Sequence, residues 1–217
     1  MRKIRNVAAR LLVWVMMAAP VGAQADASAD QARQLMDTVG HQALDIIGNA
    51  SLNKDEKQKQ LEVLFSGNVD IPWVGHFVLG RYWRDASEEQ RAHYLQEYEK
   101  FITANYAGRF ADYTGGSYKI TNATDEGDGQ YTVAMQMISP DRQQVMVDYR
   151  LHTMPGGELR IFDVVVEGVS LITTQRSEFA SVLGNKGLDY LIQQMANKAI
   201  QTPLPGEKKT AEAQKAS

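Results

Sequence analysis

The side chains that could perform chemistry in this 217-residue sequence are histidines and carboxylates, because the chain contains no cysteine. None of the histidines stands in an H-E-x-x-H pattern or at another spacing typical of metal ligands. The sequence also lacks a P-loop, a G-x-S-x-G elbow and a G-x-G-x-x-G fingerprint. We therefore interpret the histidines as surface or helix-flanking residues and predict neither a metal site nor a cofactor. They are His41, His76, His93 and His152.

Asp163 is the carboxylate whose surroundings best suit acid–base chemistry, because it stands between Phe162 and Val164 in an apolar strand. Burial would raise its pKa, and a small cone-shaped α+β enzyme could use it as a general base. The alternative is a structural carboxylate that is paired with Arg150, Arg160 or a backbone amide. The residues alone do not establish an active site, so both interpretations stay open.

Helical periodicity dominates the first half of the chain. Apolar residues at helical spacing predict a helix over residues 30–47. Start signals at Asn53 and Asp70 predict two shorter helices, the second of which ends at Gly80. Ser87 with Gln90 opens the longest helix, which carries one broad apolar stripe.

Aromatic residues are concentrated in the same part of the chain, since 11 of the 18 fall between Trp73 and Tyr118. Aromatic side chains bury more apolar area than other residues. Their concentration on helices predicts either one large apolar surface or an ordinary aromatic core.

The hydrophobic period changes to two after Ser117, which predicts strands. Turn residues at 125–129 and 155–157 separate neighbouring strands by short connections, which favours an antiparallel meander. The fourth and last strand is predicted over residues 159–169. Two helices should follow, one from Thr173 or Thr174 to residue 183 and one over residues 188–200. The predicted fold class is α+β, a single domain with a four-stranded antiparallel sheet packed with N- and C-terminal helices.

The two ends of the chain are predicted to lie outside this domain. Residues 1–25 combine a basic start, a short apolar run and an A-x-A site, which is typical of a cleavable signal peptide. Residues 202–217 are polar and lack periodicity, which predicts a disordered tail after a domain at 26–201. Without cysteine there is no lipid-modified anchor, so we expect an exported, soluble, periplasmic protein.

The charge of the chain excludes some partners. Removing the four positive charges of the leader lowers the formal net charge from −3 to −7. Nucleic-acid binding needs a basic surface, and anionic lipid surfaces attract basic clusters. We therefore predict no nucleic-acid partner and no adsorption to anionic membranes.

Four segments of the sequence carry a family resemblance. They are FVLGRYW (residues 77–83), DASEEQR (85–91), DVVVEGVSLITTQRSEF (163–179) and KGLDYLIQQM (186–195). In order and spacing they resemble the MlaC-type periplasmic phospholipid-binding proteins, also called the toluene-tolerance auxiliary family. The resemblance extends over roughly residues 30–200, and it also agrees with the predicted leader.

The resemblance implies a carrier rather than an enzyme. Such proteins shuttle a glycerophospholipid between an outer-membrane lipoprotein–porin complex and an inner-membrane ABC transporter complex, which maintains outer-membrane lipid asymmetry. The acyl chains of this cargo would lie in an apolar pocket between sheet and helices, with the headgroup near the mouth. The residues expected to line the pocket are Trp73, Phe77, Val78, Tyr98, Ile102, Tyr106, Val133, Met135, Val147, Tyr149, Val164, Val166 and Val169.

A pocket of this kind would explain why the triplet at residues 164–166 is apolar on both faces. One face would contact helices and the other would contribute to the pocket. A β-bulge inside the triplet is the competing explanation. A purely structural adaptor with a filled core, in which Val169 is an ordinary core valine, also remains open.

Overall fold

The computed structural model describes residues 28–111 and 116–200, so the predicted leader and tail lie outside the described residues. It contains one α+β domain in which five helices precede an antiparallel sheet and two helices follow it. The helices are α1 Ala29–Gly48, α2 Lys54–Asn68, α3 Ile71–Leu79, α4 Arg81–Asp85, α5 Glu88–Ala111, α6 Leu171–Lys186 and α7 Leu188–Ala196. The strands are β1 Ser117–Gly127, β2 Gln130–Ile138, β3 Gln144–Thr153, β4 Leu159–Val166 and β5 Val169–Ser170.

Local capping explains where the helices begin. The Asn53 side chain accepts a hydrogen bond from the Glu56 backbone N–H, and the Glu56 carboxylate accepts one from the Asn53 N–H. Ser87 and Gln90 make the same reciprocal pair at the start of α5. Asp70 caps α3 by accepting from the Trp73 N–H. These starts agree with the sequence predictions, whereas the short helix α4 was not predicted.

The sheet has five strands in the order β1-β2-β3-β4-β5, so the prediction of four strands was wrong. Glu167 and Gly168 both have positive φ, 49° and 79°, and form a two-residue turn. This turn folds Val169 and Ser170 back onto β4, where Val169 pairs with Val166. β4 therefore ends before the turn.

The start of α6 also differs from the prediction. The Ser170 side chain, rather than Thr173 or Thr174, caps this helix by accepting from the Thr173 N–H. A serine that ends a strand can serve as a helix cap because the cap residue itself has extended backbone angles.

The sheet does contain a β-bulge, but it lies outside the triplet at residues 164–166. Arg150 pairs with Asp163 and Leu151 pairs with Ile161, which leaves Phe162 as the extra residue on β4. Beyond the bulge the strand alternates normally. Val165 is buried, while its two neighbours Val164 and Val166 are half-buried on the opposite face.

Two apolar clusters form most of the core. A helical cluster joins α3, α5, α6 and α7 and includes Tyr94, Tyr98 and Phe179. A second cluster packs Ala32 and Met36 of α1 against the sheet. Val164 packs against both clusters, so β4 is where the helical layer and the sheet meet. None of the helices in the described ranges is both long and apolar enough to cross a membrane.

Candidate functional site

The predicted strand residues lie on one face of the sheet, in two rows that cross the strands. One row is Ala123 of β1, Val133 of β2, Tyr149 of β3 and Val164 of β4. The other row is Ile120, Met135, Val147, Val166 and Val169, one from each strand. Residues that pair directly across strands point to the same side of a sheet. The register thus gathers seven of the predicted lining residues, together with Ile120 and Ala123, into one continuous apolar surface, called the apolar rows below.

Five of the six predicted helix residues belong to the helical cluster or pack against it. Val78 of α3 and Tyr98, Ile102 and Tyr106 of α5 are all buried there, and Phe77 packs against them. Val164 and Val166 of the apolar rows pack against the same cluster. The two halves of the predicted lining therefore meet at β4.

Trp73 lies at the margin of this region. It is 38% exposed and stacks on Phe77 with ring centroids 5.4 Å apart. Trp73 also makes a T-shaped contact with Phe162, the bulge residue of β4, with ring centroids 5.2 Å apart. The bulge thus supplies an aromatic contact between α3 and the sheet.

Val169 is not a buried core residue, because 45% of its surface is exposed. Val145 on β3 is 36% exposed and lies on the same face, two residues before Val147. Adjacent Met146 is 42% exposed, and its backbone N–H donates to the Glu167 carboxylate. Exposed apolar side chains therefore surround the end of the sheet at the β4–β5 turn. The row that contains Val169 is therefore accessible at its β5 end.

One groove opens beside the apolar rows, and a second lies among the helices. The larger one, of about 540 Å³, lies between α1 and β1 and is called the α1–β1 groove. Its lining consists of Arg33, Gln34, Asp37, His41, Leu44, Ser117, Tyr118 and Ile120. The smaller one, of about 260 Å³, lies between α3 and α6, where the Arg176 guanidinium sits 4.9 Å over the Phe77 ring. Both grooves combine apolar surface with a cation.

Sequence reasoning did not identify the α1–β1 groove. A signal for it exists on α1, because Arg33, Asp37 and His41 follow one another at four-residue spacing and share one helix face. The polar face of a helix is usually a solvated surface, so this spacing alone does not indicate a site. Only the position of β1 opposite that face makes it the wall of a groove.

Tyr118 links the two walls of this groove. Its hydroxyl lies 2.9 Å from the Asp37 carbonyl oxygen and 2.7 Å from His41 Nδ1. Partial burial, and then the hydrogen bond to Asp37, raise the pKa of Tyr118 to about 12. The phenol therefore stays protonated at neutral pH and remains able to donate.

The ring of Tyr118 can approach α1 only because residue 40 is glycine. A Cβ at this position would stand 2.6 Å from the ring carbon Cζ of Tyr118. We expect Gly40→Ala to lower the free energy of unfolding by about 1–2 kcal/mol, because the displaced ring outweighs the better helix propensity of alanine. Urea unfolding measures the change.

Gly67 in α2 is the matched control, since a Cβ there meets nothing within 4 Å. Gly67→Ala should raise the free energy of unfolding by up to about 1 kcal/mol. If both alanine variants are stabilised equally, the close contact between the Tyr118 ring and Gly40 does not limit the size of residue 40.

Asp163 is buried, with 2% of its surface exposed, and it has several partners. It accepts hydrogen bonds from Ser170 Oγ at 2.8 Å, Arg150 Nη1 at 3.3 Å and the Ile172 backbone N–H at 3.4 Å. Arg160, the other candidate partner, instead donates to the Gly67 carbonyl. The carboxylate therefore connects β3, β4 and the first turn of α6. This network fits the interpretation of Asp163 as a structural carboxylate.

Metal chemistry has no evident centre in the part of the chain that the structure describes. Nowhere within it do three histidine or carboxylate side chains converge on one point. Among the histidine–carboxylate pairs of the described residues, the shortest distance is the 2.9 Å between His152 Nε2 and Asp70 Oδ2. Asp70 also caps α3, so this pair attaches the start of that helix to β3.

Comparison with known proteins gives matches over most of the chain. The family model described as MlaC protein matches residues 37–197. The intermembrane phospholipid transport system binding protein MlaC of Haemophilus influenzae is 25% identical over 136 residues, which are 61% of this chain and 64% of that protein. The toluene tolerance protein ttg2D of Pseudomonas putida is 20% identical over 161 residues, which cover 70% and 74% of the two chains.

A solved structure shares the fold. The phospholipid-binding protein from Ralstonia solanacearum, determined in complex with a phospholipid, superposes with a TM-score of 0.64 at 20% identity. The match covers 80% of this chain and 96% of that one. The arrangement of helices and sheet described above is thus a known one.

Proposed function

Because the chain belongs to the MlaC protein family, we propose that it binds a glycerophospholipid and carries it through the periplasm between two membrane complexes. The acyl chains would lie between the apolar rows of the sheet and the helical cluster. The complexes would be an outer-membrane lipoprotein–porin complex and an inner-membrane ABC transporter complex. The proposal assigns the protein no catalytic step and no cofactor, since the phospholipid is cargo.

The observation that carries this proposal is the continuity of the apolar rows. Five strands contribute to one apolar surface that runs from Ile120 to Val169. Facing part of it is a helical cluster rich in aromatic side chains. A polar metabolite would need several convergent polar groups, whereas hydrocarbon needs apolar area alone.

The names of two similar proteins support the same conclusion. The Haemophilus influenzae relative is named as a binding protein of intermembrane phospholipid transport. The Ralstonia solanacearum structure holds a phospholipid. This chain covers 64% of the Haemophilus protein, slightly less than two thirds of its length.

The energetics of transfer favour a carrier that shields the tails throughout. Two long acyl chains contain about 30 methylenes, and exposing them to water costs about 25 kcal/mol at about 0.8 kcal/mol each. Release into water is therefore prohibitively slow. Transfer has to occur while the carrier is docked, and an acidic protein that anionic membranes repel would dock on protein partners instead.

Loading must involve a change in the packing between sheet and helices. Val133 and Tyr98 are fully buried in the two core clusters, and Met135 is 2% exposed. Tyr98 belongs to the helical cluster, whereas Val133 and Met135 share a cluster with Ala32 and Met36 of α1. Acyl chains can therefore reach all three side chains only if both α1 and the helical cluster move away from the sheet. Val69 and Val164 both pack against the two clusters, so the separation has to involve the contacts of these residues.

Native mass spectrometry of the purified protein tests the proposal. We expect about one diacyl phospholipid per chain, retained through gel filtration and recovered by solvent extraction. Retention follows from the cost of wetting the tails. A folded protein that carries no phospholipid, and that cannot be loaded from vesicles afterwards, would instead support the adaptor with a filled core.

A further inference from the structure

The α1–β1 groove is continuous with the apolar rows. Ile120 lines the groove and is also the β1 member of the row that contains Met135, Val147 and Val166. Tyr118 likewise pairs with Met137, which pairs with Val145 at the exposed end of the sheet. The groove and the apolar rows therefore meet at Ile120. A ligand held in the groove can continue along the rows once loading has separated α1 and the helical cluster from the sheet.

The other wall of the groove is polar and carries both signs of charge. Arg33 and Asp37 project from adjacent turns of α1, and His41 follows one turn later. Arg33 is half-buried, and within the described residues its guanidinium forms no ion pair. Asp37 is 54% exposed at its side chain. A guanidinium suits phosphate oxygens, and an exposed carboxylate suits an ammonium group.

The size of the groove fits a headgroup rather than a whole lipid. Its volume of about 540 Å³ falls within the range of small-molecule sites. Tyr118 holds α1 and β1 at their present separation, because its ring lies directly on Gly40. The groove is therefore formed by a close-packed contact and does not depend on loop position.

We propose that the α1–β1 groove binds the zwitterionic headgroup of the phospholipid, with the phosphate at Arg33 and the ammonium at Asp37. This inference rests on the proposed function, since it places one end of the same cargo. The acyl chains would pass over Ile120 toward Met135 and Val147. The carrier would thereby distinguish a phospholipid from a neutral lipid with the same tails.

A competition between two lipids tests this assignment. Lipid-free protein is incubated with vesicles that contain equal amounts of dioleoyl phosphatidylethanolamine and dioleoylglycerol, and native mass spectrometry counts each bound lipid. We expect the wild-type protein to prefer the phospholipid by about tenfold, the usual effect of one charge-assisted contact. Arg33→Gln should reduce this ratio to about one, and Arg33→Lys should restore part of it. Arg84→Gln, on α4 and outside the groove, should leave the ratio unchanged.

The outcomes separate this inference from the proposed function. A wild-type protein that loads neither lipid overturns the proposed function and the headgroup site with it. If Arg33→Gln is folded and loads both lipids in the wild-type ratio, the headgroup site is wrong while the carrier function stands. Free inorganic phosphate could bind Arg33 in place of a lipid phosphate, and calorimetry with sodium phosphate tests this alternative. Arg33-dependent binding of inorganic phosphate that leaves the bound lipids and their ratio unchanged would reassign the groove to a free anion and overturn the headgroup site.

Discussion

Val169→Glu is expected to give a folded protein that carries no phospholipid. Val169 pairs with Val166 in the same apolar row as Met135 and Val147, so its side chain faces the region proposed for the tails. A carboxylate there would have to be desolvated against hydrocarbon at a cost of several kcal/mol. In the absence of lipid the cost vanishes, since the position is 45% exposed and the charge can remain hydrated.

Two measurements on the variant decide the matter, namely its thermal unfolding and its lipid content. Val63→Glu serves as the matched control, because Val63 is 72% exposed on α2, outside the apolar rows. The control should fold and retain its lipid. If Val169→Glu folds and is fully loaded, Val169 does not border the tails; if it fails to fold, the residue is more important for stability than its exposure indicates.

Asp163→Asn is expected to lower the free energy of unfolding by about 1–3 kcal/mol, because it weakens a buried carboxylate network. The amide cannot accept from Ser170, Arg150 and the Ile172 N–H as an ionised carboxylate does. Since these partners lie on β3, at the end of β5 and on α6, the loss would loosen the junction between the sheet and the C-terminal helices. Chemical unfolding measures the change.

Asp148→Asn is the control for this second variant. Asp148 lies on β3 and pairs with Val165, so it shares a sheet face with Asp163 while being half-buried. Its substitution should change the free energy of unfolding by less than about 0.5 kcal/mol. The general-base alternative predicts a different outcome for Asp163→Asn, namely unchanged stability together with the loss of a turnover. A variant as stable as the wild type would therefore count against the structural role.

The sequence alone determined the features that depend on neighbours along the chain. The capping pairs at Asn53 and Ser87 satisfy helix N–H groups within four residues, so the starts of α2 and α5 were predictable. Period-two patterning indicated which side chains share a face of β2 and β3, and the register pairs Val133 with Tyr149 as this pattern requires. The face of Val164 could not be read from the pattern, because residues 164–166 are all apolar. The family was likewise recognisable from short contiguous segments.

Only the tertiary structure decided features that depend on contacts between distant parts of the chain. In the sequence, Glu167 and Gly168 are only two residues that interrupt an apolar segment. They form a hairpin turn because Val169 and Ser170 can pair with the free edge of β4. The partners of Asp163 come from three separate elements, so its role could not be chosen from its own strand.

The α1–β1 groove illustrates the same limit. Its walls are 81 residues apart where Tyr118 meets Asp37, and the closeness of the two walls depends on the missing side chain of Gly40. A pattern along one helix cannot specify what packs against it, because packing energy comes from shape complementarity between surfaces that are remote in the sequence. The members of the apolar rows on β2 and β3 could thus be predicted from local period, whereas the face of the β4 members and the α1–β1 groove could be found only in the folded chain.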